Sequence, residues 1–124
     1  MTPTTAATQL ALAALIAAAP LAGSAATPAE LLATYRSAAG GAAPAAERGR
    51  QFFTTSHGRE WSCASCHGTP PTQTGKHANT GKPIEPLAPA SNAQRFTDPA
   101  KAEKWFRRNC NDVMGRECTA GEKA

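Results

Sequence analysis

The stretch that decides the fold is CASCH, residues Cys63 to His67, near the middle of the chain. It matches the C-x-x-C-H pattern that is typical of c-type haem attachment. The spacing follows from the chemistry, since two thiols add to the two vinyl groups and the adjacent histidine is held under the iron. The pattern therefore predicts one covalent haem c, with Cys63 and Cys66 as thioether cysteines and His67 as proximal ligand.

Two other functions of a C-x-x-C pair compete with haem attachment. Half of a zinc site would need a second ligand pair, and a thioredoxin-like redox motif would need a surrounding βαβ pattern. The remaining cysteines, Cys110 and Cys118, are eight residues apart and do not repeat the C-x-x-C spacing, and no βαβ pattern is present. Both alternatives are therefore disfavoured.

The amino-terminal segment has the features of a secretory signal peptide. The first 26 residues carry no charged side chain, and LALAALIAAAP (residues 10–20) is apolar and followed by small residues. The apolar segment is shorter than the ~20 residues that a membrane span needs, which disfavours an uncleaved membrane anchor. We predict a signal peptide at residues 1–26 and one domain at residues 27–124. The domain is expected in the periplasm, a compartment in which disulfides persist.

The composition is basic and poor in aromatic residues. Thirteen Lys and Arg against nine Asp and Glu give a net charge of +4, without the dense basic run expected of a nucleic-acid-binding protein. An anionic partner is expected instead. Two Trp, one Tyr and four Phe make a marginal core for a small domain, which a large apolar cofactor would help to fill.

Helix-start signals predict an all-α fold. Capping boxes open helices at Thr27 and Thr119, and Asp98-Pro99 opens a third helix with an N-cap and an N1 proline. A further helix is predicted from Pro44 to Ser56, with Gly49 expected to face a close packing partner. Residues 69–89 are rich in proline and predict an extended loop, and no strand is expected.

Four side chains are candidates for the other axial position: His57, His77, Asn109 and Met114. Methionine is the usual sixth ligand of small cytochromes c, whereas a histidine in a loop is more often a surface group. Asn109 follows Ala102, Trp105 and Phe106 on one helical face, so its amide should lie on the core side and need a polar partner. The alternative for Asn109 is a helix C-terminal role, which asparagine also favours.

Cys110 and Cys118 constrain the same region if they are bridged. Residues eight apart in a continuous helix are ~12 Å apart, whereas a disulfide needs Cα atoms ~4.4–6.8 Å apart. A bridge would therefore require the chain to turn back between them, and Gly115 is the natural place for that turn. Two free thiols are the alternative, which an oxidising compartment disfavours.

These stretches carry a resemblance to a known family. RGRQFF, WSCASCH, GKHANTGKPIEPLAPA and RFTDPAKAEKWFRRNCNDVMGRECTAGEK, which together span most of residues 48–123, are similar to the sphaeroides haem protein family of class I cytochromes c. The family binds oxygen and uses an asparagine as sixth ligand. The resemblance implies a class I cytochrome c fold wrapped round one covalent haem.

The resemblance also assigns residues and partners. It implies that Cys63 and Cys66 are the thioether cysteines, His67 the proximal ligand, Asn109 the sixth ligand, and Cys110 and Cys118 a disulfide beside the haem pocket. It further implies a dihaem cytochrome c or a membrane cytochrome b as electron donor. The family pattern continues into a C-terminal helix that packs across the N-terminal one, and here we expect that helix to be truncated.

Two functions follow as expectations. The first is a haem protein in which Asn109 leaves the iron on reduction, so that O2, CO or NO can bind in a pocket whose candidate walls are Trp61, Trp105 and Phe106. The second is a plain electron-transfer cytochrome c with His67 and Met114 as ligands. An enzyme that reduces a small oxygen or nitrogen compound needs the same open position, but no proton donor is placed by the sequence. The basic surface fits either function: Lys76, Lys82, Lys101, Lys104, Arg107 and Arg108.

Overall fold

A computed structural model of the chain describes Met1 and residues 25–41, 43 and 45–124. Five helices and two short strands follow in the order α1 (Pro28–Ala38), α2 (Ala46–Thr54), α3 (Cys63–His67), β1 (Gly75–Lys76), β2 (Pro83–Ile84), α4 (Pro99–Met114) and α5 (Ala120–Lys123). The predicted signal peptide lies almost wholly outside the described residues and stays a prediction. The predicted start of the second helix at Pro44 lies outside them as well.

Three helices, α1, α4 and α5, start at the caps that the sequence predicts: Thr27, Asp98 and Thr119. Thr27 and Glu30 form a reciprocal capping box, in which the Thr27 amide donates to the Glu30 carboxylate at 2.7 Å and the Glu30 amide donates to Thr27 Oγ1 at 3.2 Å. Asp98 accepts from the Lys101 amide at 3.0 Å ahead of Pro99. Since these bonds satisfy amides that a helix leaves free, they fix where α1 and α4 begin.

The two strands were not predicted, and they have two residues each. Gly75 pairs with Ile84 and Lys76 with Pro83 in an antiparallel ladder inside the predicted extended loop. The pair closes beneath α3, where a Cβ at position 75 would overlap the carbonyl of Cys66. Glycine is therefore required at this close approach of loop to helix.

The apolar core lies where α1, α4 and α5 meet. Leu31, Tyr35 and Ala102 are its buried members, and Phe96 and Phe106 pack against them. The rings of Tyr35 and Phe106 meet edge to face with centroids 5.6 Å apart. Among the described residues no large side chain is fully buried, so protein atoms alone build only a small core.

The structure corrects the prediction made for the second helix. A Cβ at Gly49 would meet no atom of the described residues within 4 Å. The expectation that Gly49 faces a close packing partner is therefore wrong. The short helix α5 packs instead on α1, with Gly121 opposite Ala39, and Phe53 of α2 faces His67. Gly49 is exposed, and no packing contact explains the glycine there.

Polar contacts fasten α5 to the rest of the fold. Arg116 donates to both carboxylate oxygens of Glu122 at 2.7 and 2.9 Å, and the Thr119 amide donates to the same carboxylate at 2.8 Å. Lys123 donates to Glu103 of α4 at 2.8 and 3.1 Å. Charge-assisted bonds of this kind are stronger than neutral ones, so the four-residue helix is held by more than its own turn.

Lys123 also covers the aromatic core. Its Nζ lies 5.6 Å from the centroid of the Tyr35 ring and 5.9 Å from that of Phe106. Burial raises the pKa of Tyr35, and the nearby Glu103 carboxylate raises that pKa further. The Tyr35 hydroxyl is nevertheless buried without a well-formed hydrogen bond to any described residue. Tyr35 is therefore a neutral core residue beneath a cation.

Within the described part of the chain, none of the helices has the length and apolarity that crossing a membrane requires.

The Glu122 contacts predict a pH dependence of stability. Hydrogen bonds from Arg116, with those from Thr119, lower the pKa of Glu122 from 4.5 to about 2. A carboxylate with a depressed pKa stabilises the fold above its unfolded pKa, so this contribution is lost as the pH falls from about 4.5 towards 2. Glu122→Gln should lower the free energy of unfolding at pH 7 by ~1 kcal/mol and flatten its decline over that range.

The measurement is urea unfolding of the holoprotein followed by circular dichroism between pH 2 and pH 7. Glu47→Gln is the matched control, because the side chains of Glu47 and its partner Arg50 are 75% and 66% exposed. Equal effects of the two substitutions would contradict the role given to Glu122.

Candidate haem-binding site

The CASCH stretch forms a single helical turn, α3, that is fixed by its own cap. Ser62 is buried and its Oγ accepts from the Ser65 amide at 3.3 Å, while Ser65 Oγ accepts from the Ser62 amide at 3.0 Å. In a helix, residues three and four apart share a face. Cys63, Cys66 and His67 therefore point to the same side.

Both thiols of the site are free and half-buried. Burial raises the pKa of the Cys63 thiol, which keeps this sulfur protonated at neutral pH. The Ala78 amide donates to Cys66 Sγ at 3.2 Å, from the turn between β1 and β2. The two sulfurs thus sit on a fixed turn as a pair that no disulfide joins.

His67 is half-buried at the end of α3, with its ring 6.2 Å from that of Phe53. Burial lowers the pKa of His67, and the positive charge of Arg95 lowers it further. The imidazole is therefore neutral at pH 7, which is the form that binds a metal. Its Nδ1 is buried and has no hydrogen-bond partner among the described residues.

These residues fit a covalent haem. Two unpaired thiols and a neutral imidazole share one face of a capped turn, which is the donor set that haem c requires. Of the predicted wall residues, Trp61 is half-buried and Trp105 is 41% exposed to solvent, whereas Phe106 packs in the helical core against Tyr35 and Phe96. Among the described residues, no three His, Cys, Asp or Glu side chains cluster as metal ligands.

The structure places the two loop histidines in contacts of their own. His57 Nε2 lies 2.8 Å from the Phe52 carbonyl, and the His57 and Phe52 rings have centroids 4.2 Å apart and planes tilted by 33°. His77 Nδ1 accepts from the Thr80 amide at 3.2 Å. Each ring therefore has one nitrogen committed to the protein.

Asn109 and Met114 lie on α4. Met114 is half-buried as the last helical residue, whereas Asn109 is exposed. The expectation that Asn109 lies against a protein core is therefore wrong. Its helical phase is close to that of the buried Ala102, but Asn109 lies two turns further on, where no described residue covers that face. Trp105, one turn before Asn109, is exposed in the same way.

The predicted disulfide is confirmed. Cys110 and Cys118 are bonded with Cα atoms 5.6 Å apart, and Cys110 is 4% exposed. The chain turns back at Gly115, which ends α4 in the left-handed conformation with φ 71°. A Cβ there would approach the mobile end of the exposed Arg59 side chain to 2.9 Å, so the left-handed conformation is the main reason for glycine at this position. The bridge begins at the residue that follows Asn109.

One residue near the site was missed by the sequence analysis. Arg95 is half-buried, and its guanidinium donates from Nε to the Pro86 carbonyl at 2.9 Å and from Nη2 to the Glu85 carbonyl at 2.7 Å. Only its charge within the loop, next to an aromatic residue, could have drawn attention to it, and no periodic pattern surrounds it.

Comparison with known proteins gives clear relatives. A family model described as a domain of unknown function (DUF1924) matches residues 39–124. The cytochrome c-type protein SHP of Cereibacter sphaeroides is 53% identical over 103 residues, which cover 79% of this chain and 78% of that protein. Cytochrome c'' of Methylophilus methylotrophus is 46% identical over 86 residues, which cover 66% of this chain and 60% of the relative.

Solved structures agree with the sequence relatives. The structure of oxidised SHP, described as an oxygen-binding cytochrome c, superposes with a TM-score of 0.73 at 48% identity, covering 80% of this chain and 90% of that one. Cytochrome c'' superposes with TM-scores of 0.67 for the oxidised crystal form and 0.66 for the solution structure, at 41% and 39% identity. Each comparison covers 77% of this chain and 85% of the relative, and the solution structure is described in terms of haem-ligand detachment.

The fold and the site define a monohaem c-type cytochrome of class I, with the haem attached through the Cys63 and Cys66 pair. More narrowly, the chain belongs to the family that includes the cytochrome c-type protein SHP and is described as DUF1924. The predicted fold class, cofactor and family resemblance are confirmed.

Proposed function

We propose that this cytochrome carries a sixth ligand, Asn109, that leaves the iron on reduction and so opens a position for a diatomic molecule. Bound haem c supplies an iron that changes its charge by one and takes an axial ligand on each face. His67 would bind the iron on one side, since the helical turn fixes its ring beside the two thioether cysteines. Asn109 is the proposed ligand of the other face.

The observation that carries the proposal is the position of Asn109 in α4, directly before the disulfide-bonded Cys110. Asn109 precedes Cys110, whose bond to Cys118 and whose burial fix the backbone at this point. Such a fixed backbone would let the amide leave and return with only a side-chain movement. A neutral amide oxygen is a hard, weak ligand and suits ferric iron better than the softer ferrous ion.

Two relatives support the same direction. SHP is described as an oxygen-binding cytochrome c, and cytochrome c'' is described through the detachment of a haem ligand. Oxygen binding and the detachment of a haem ligand both require a position on the iron that no protein ligand holds permanently. We extend that property to this chain on the basis of its similarity to both proteins.

A second candidate function is electron transfer with Met114 as a permanent sixth ligand. It is favoured by the half-burial of Met114 at the end of α4, inside the loop that the Cys110–Cys118 disulfide closes. A thioether stabilises ferrous iron and would stay bound on reduction. The two functions therefore predict different effects of the same pair of substitutions.

Substitution of each candidate ligand distinguishes them. Asn109→Ala should convert the ferric absorption and electron paramagnetic resonance spectra from those of the wild type to those of a protein that has lost its sixth protein ligand. Met114→Ala, the matched control on the same helix, should leave both spectra unchanged. The opposite pattern would establish the methionine-ligated alternative. Haem content, measured as the pyridine haemochrome, checks that both variants are loaded.

We also propose an electron donor with an anionic docking surface, a dihaem cytochrome c or a membrane cytochrome b, in the periplasm. The sequence relationship suggests this class of donor, and the charges of α4 suit it. Lys101, Lys104 and Arg108 are exposed and share one face of the helix. Arg108 also lies over the Trp105 ring, 5.6 Å from its centroid, which adds an aromatic group beside that face.

Electron transfer from a reduced acidic dihaem cytochrome c should therefore slow as the salt concentration rises. Lys101→Gln with Lys104→Gln should lower the second-order rate constant by roughly three- to tenfold at low salt, since charge steers encounter. Lys76→Gln with Lys82→Gln, on the β1–β2 hairpin, removes the same charge elsewhere and should have a smaller effect. Stopped-flow mixing measures the rates, and equal slowing by both double variants would contradict docking at α4.

A further inference from the structure

Arg95 is a half-buried cation that the proposed function does not use. Its guanidinium donates to the carbonyls of Glu85 and Pro86, which are neutral groups. Among the ion pairs of the described residues, none includes Arg95. The positive charge is therefore held in place by the backbone without being neutralised by a protein carboxylate.

The loop around Arg95 is built to fix that side chain. Phe96 has φ 59°, a left-handed conformation that a bulky residue adopts only when its surroundings demand it. Its ring packs towards Phe106, with centroids 6.4 Å apart, on the core side. Because the backbone turns at Phe96, the Phe96 side chain packs on the helical core, whereas the Arg95 side chain points to the carbonyls of Glu85 and Pro86.

A chain of hydrogen bonds joins this corner to the segment that follows His67. The Pro71 carbonyl accepts from the Leu87 amide at 3.1 Å and from the Ala88 amide at 3.0 Å. Residues 85 and 86, which hold Arg95, directly precede these amides. The strand pair brings the same corner to the haem-attachment turn: a Cβ at Gly75 would lie 3.1 Å from His67 Cα, and Gly75 pairs with Ile84, which directly precedes the Glu85 carbonyl that holds Arg95. Arg95 is therefore anchored on the segment that packs against this turn, and the lowered pKa of His67 agrees with that placement.

We propose that Arg95 is a positioning residue of the haem site, which places a fixed positive charge beside it and raises the midpoint potential of the haem. The oxidised site carries one more positive charge than the reduced site, so a nearby cation destabilises the oxidised form. Half-burial limits screening of this interaction by solvent and salt. The inference rests on the haem held at His67 in the proposed function, but it does not depend on Asn109.

The test is spectroelectrochemical titration of the holoprotein and its variants at one pH. At the potential where the wild type is half reduced, Arg95→Gln should lower the ratio of reduced to oxidised protein about tenfold, equal to about 59 mV for one electron. Arg95→Lys keeps the charge without the fork of donors and should stay within about twofold of the wild type. Arg50→Gln, an exposed arginine paired with Glu47, is the control for net charge and should leave the ratio unchanged.

Equal shifts for Arg95→Gln and Arg95→Lys would reveal a structural effect and overturn the proposal, as would an unchanged potential in Arg95→Gln. Arg95→His keeps the test decisive if the glutamine variant does not fold. For this variant the midpoint potential is measured at several pH values, and it should fall relative to that of the wild type as the introduced imidazole loses its proton with rising pH. If the potentials of the variant and the wild type change with pH in parallel, the proposal is overturned. The effect of Asn109→Ala on the ferric spectrum is independent of these outcomes, so failure of the proposed function stays distinguishable.

Discussion

Covalent attachment at one turn of helix is the constraint on which the rest of the structure depends. The turn from Cys63 to His67 is too short to be stable as an isolated helix. It is held by the Ser62 and Ser65 side chains at its start and by Gly75 beneath it. A haem bonded to both sulfurs would join this turn to the apolar residues around it and would add buried surface that the described residues alone lack.

The helical core and the haem site are therefore distinct parts of one small domain. Tyr35, Phe106 and Lys123 join α1, α4 and α5 through ring contacts and a covering cation. The same helix α4 then runs on to the exposed Asn109 and to the disulfide, so its first half belongs to the core, and its second half carries the residues that we propose for the haem site. Oxidation of Cys110 and Cys118 fixes the far end, and α5 anchors the chain that returns from it.

Local rules predicted the parts of the fold that depend on neighbouring residues. The caps at Thr27, Asp98 and Thr119, the turn at Gly115 and the CASCH motif are all of this kind. The failures involve contacts between distant segments. Helical phase predicted the side of α4 on which Asn109 lies, but not how far the core extends along that helix. The left-handed conformation of Phe96, which positions Arg95, is not indicated by any periodic pattern in the sequence.

The most direct test of a redox-labile sixth ligand is the absorption spectrum of the dithionite-reduced wild-type holoprotein before and after addition of CO. Release of Asn109 predicts a five-coordinate, high-spin ferrous spectrum that changes completely to that of a CO adduct. A six-coordinate, low-spin ferrous spectrum that CO leaves unaltered would contradict the account, because it would show a sixth ligand that stays bound on reduction.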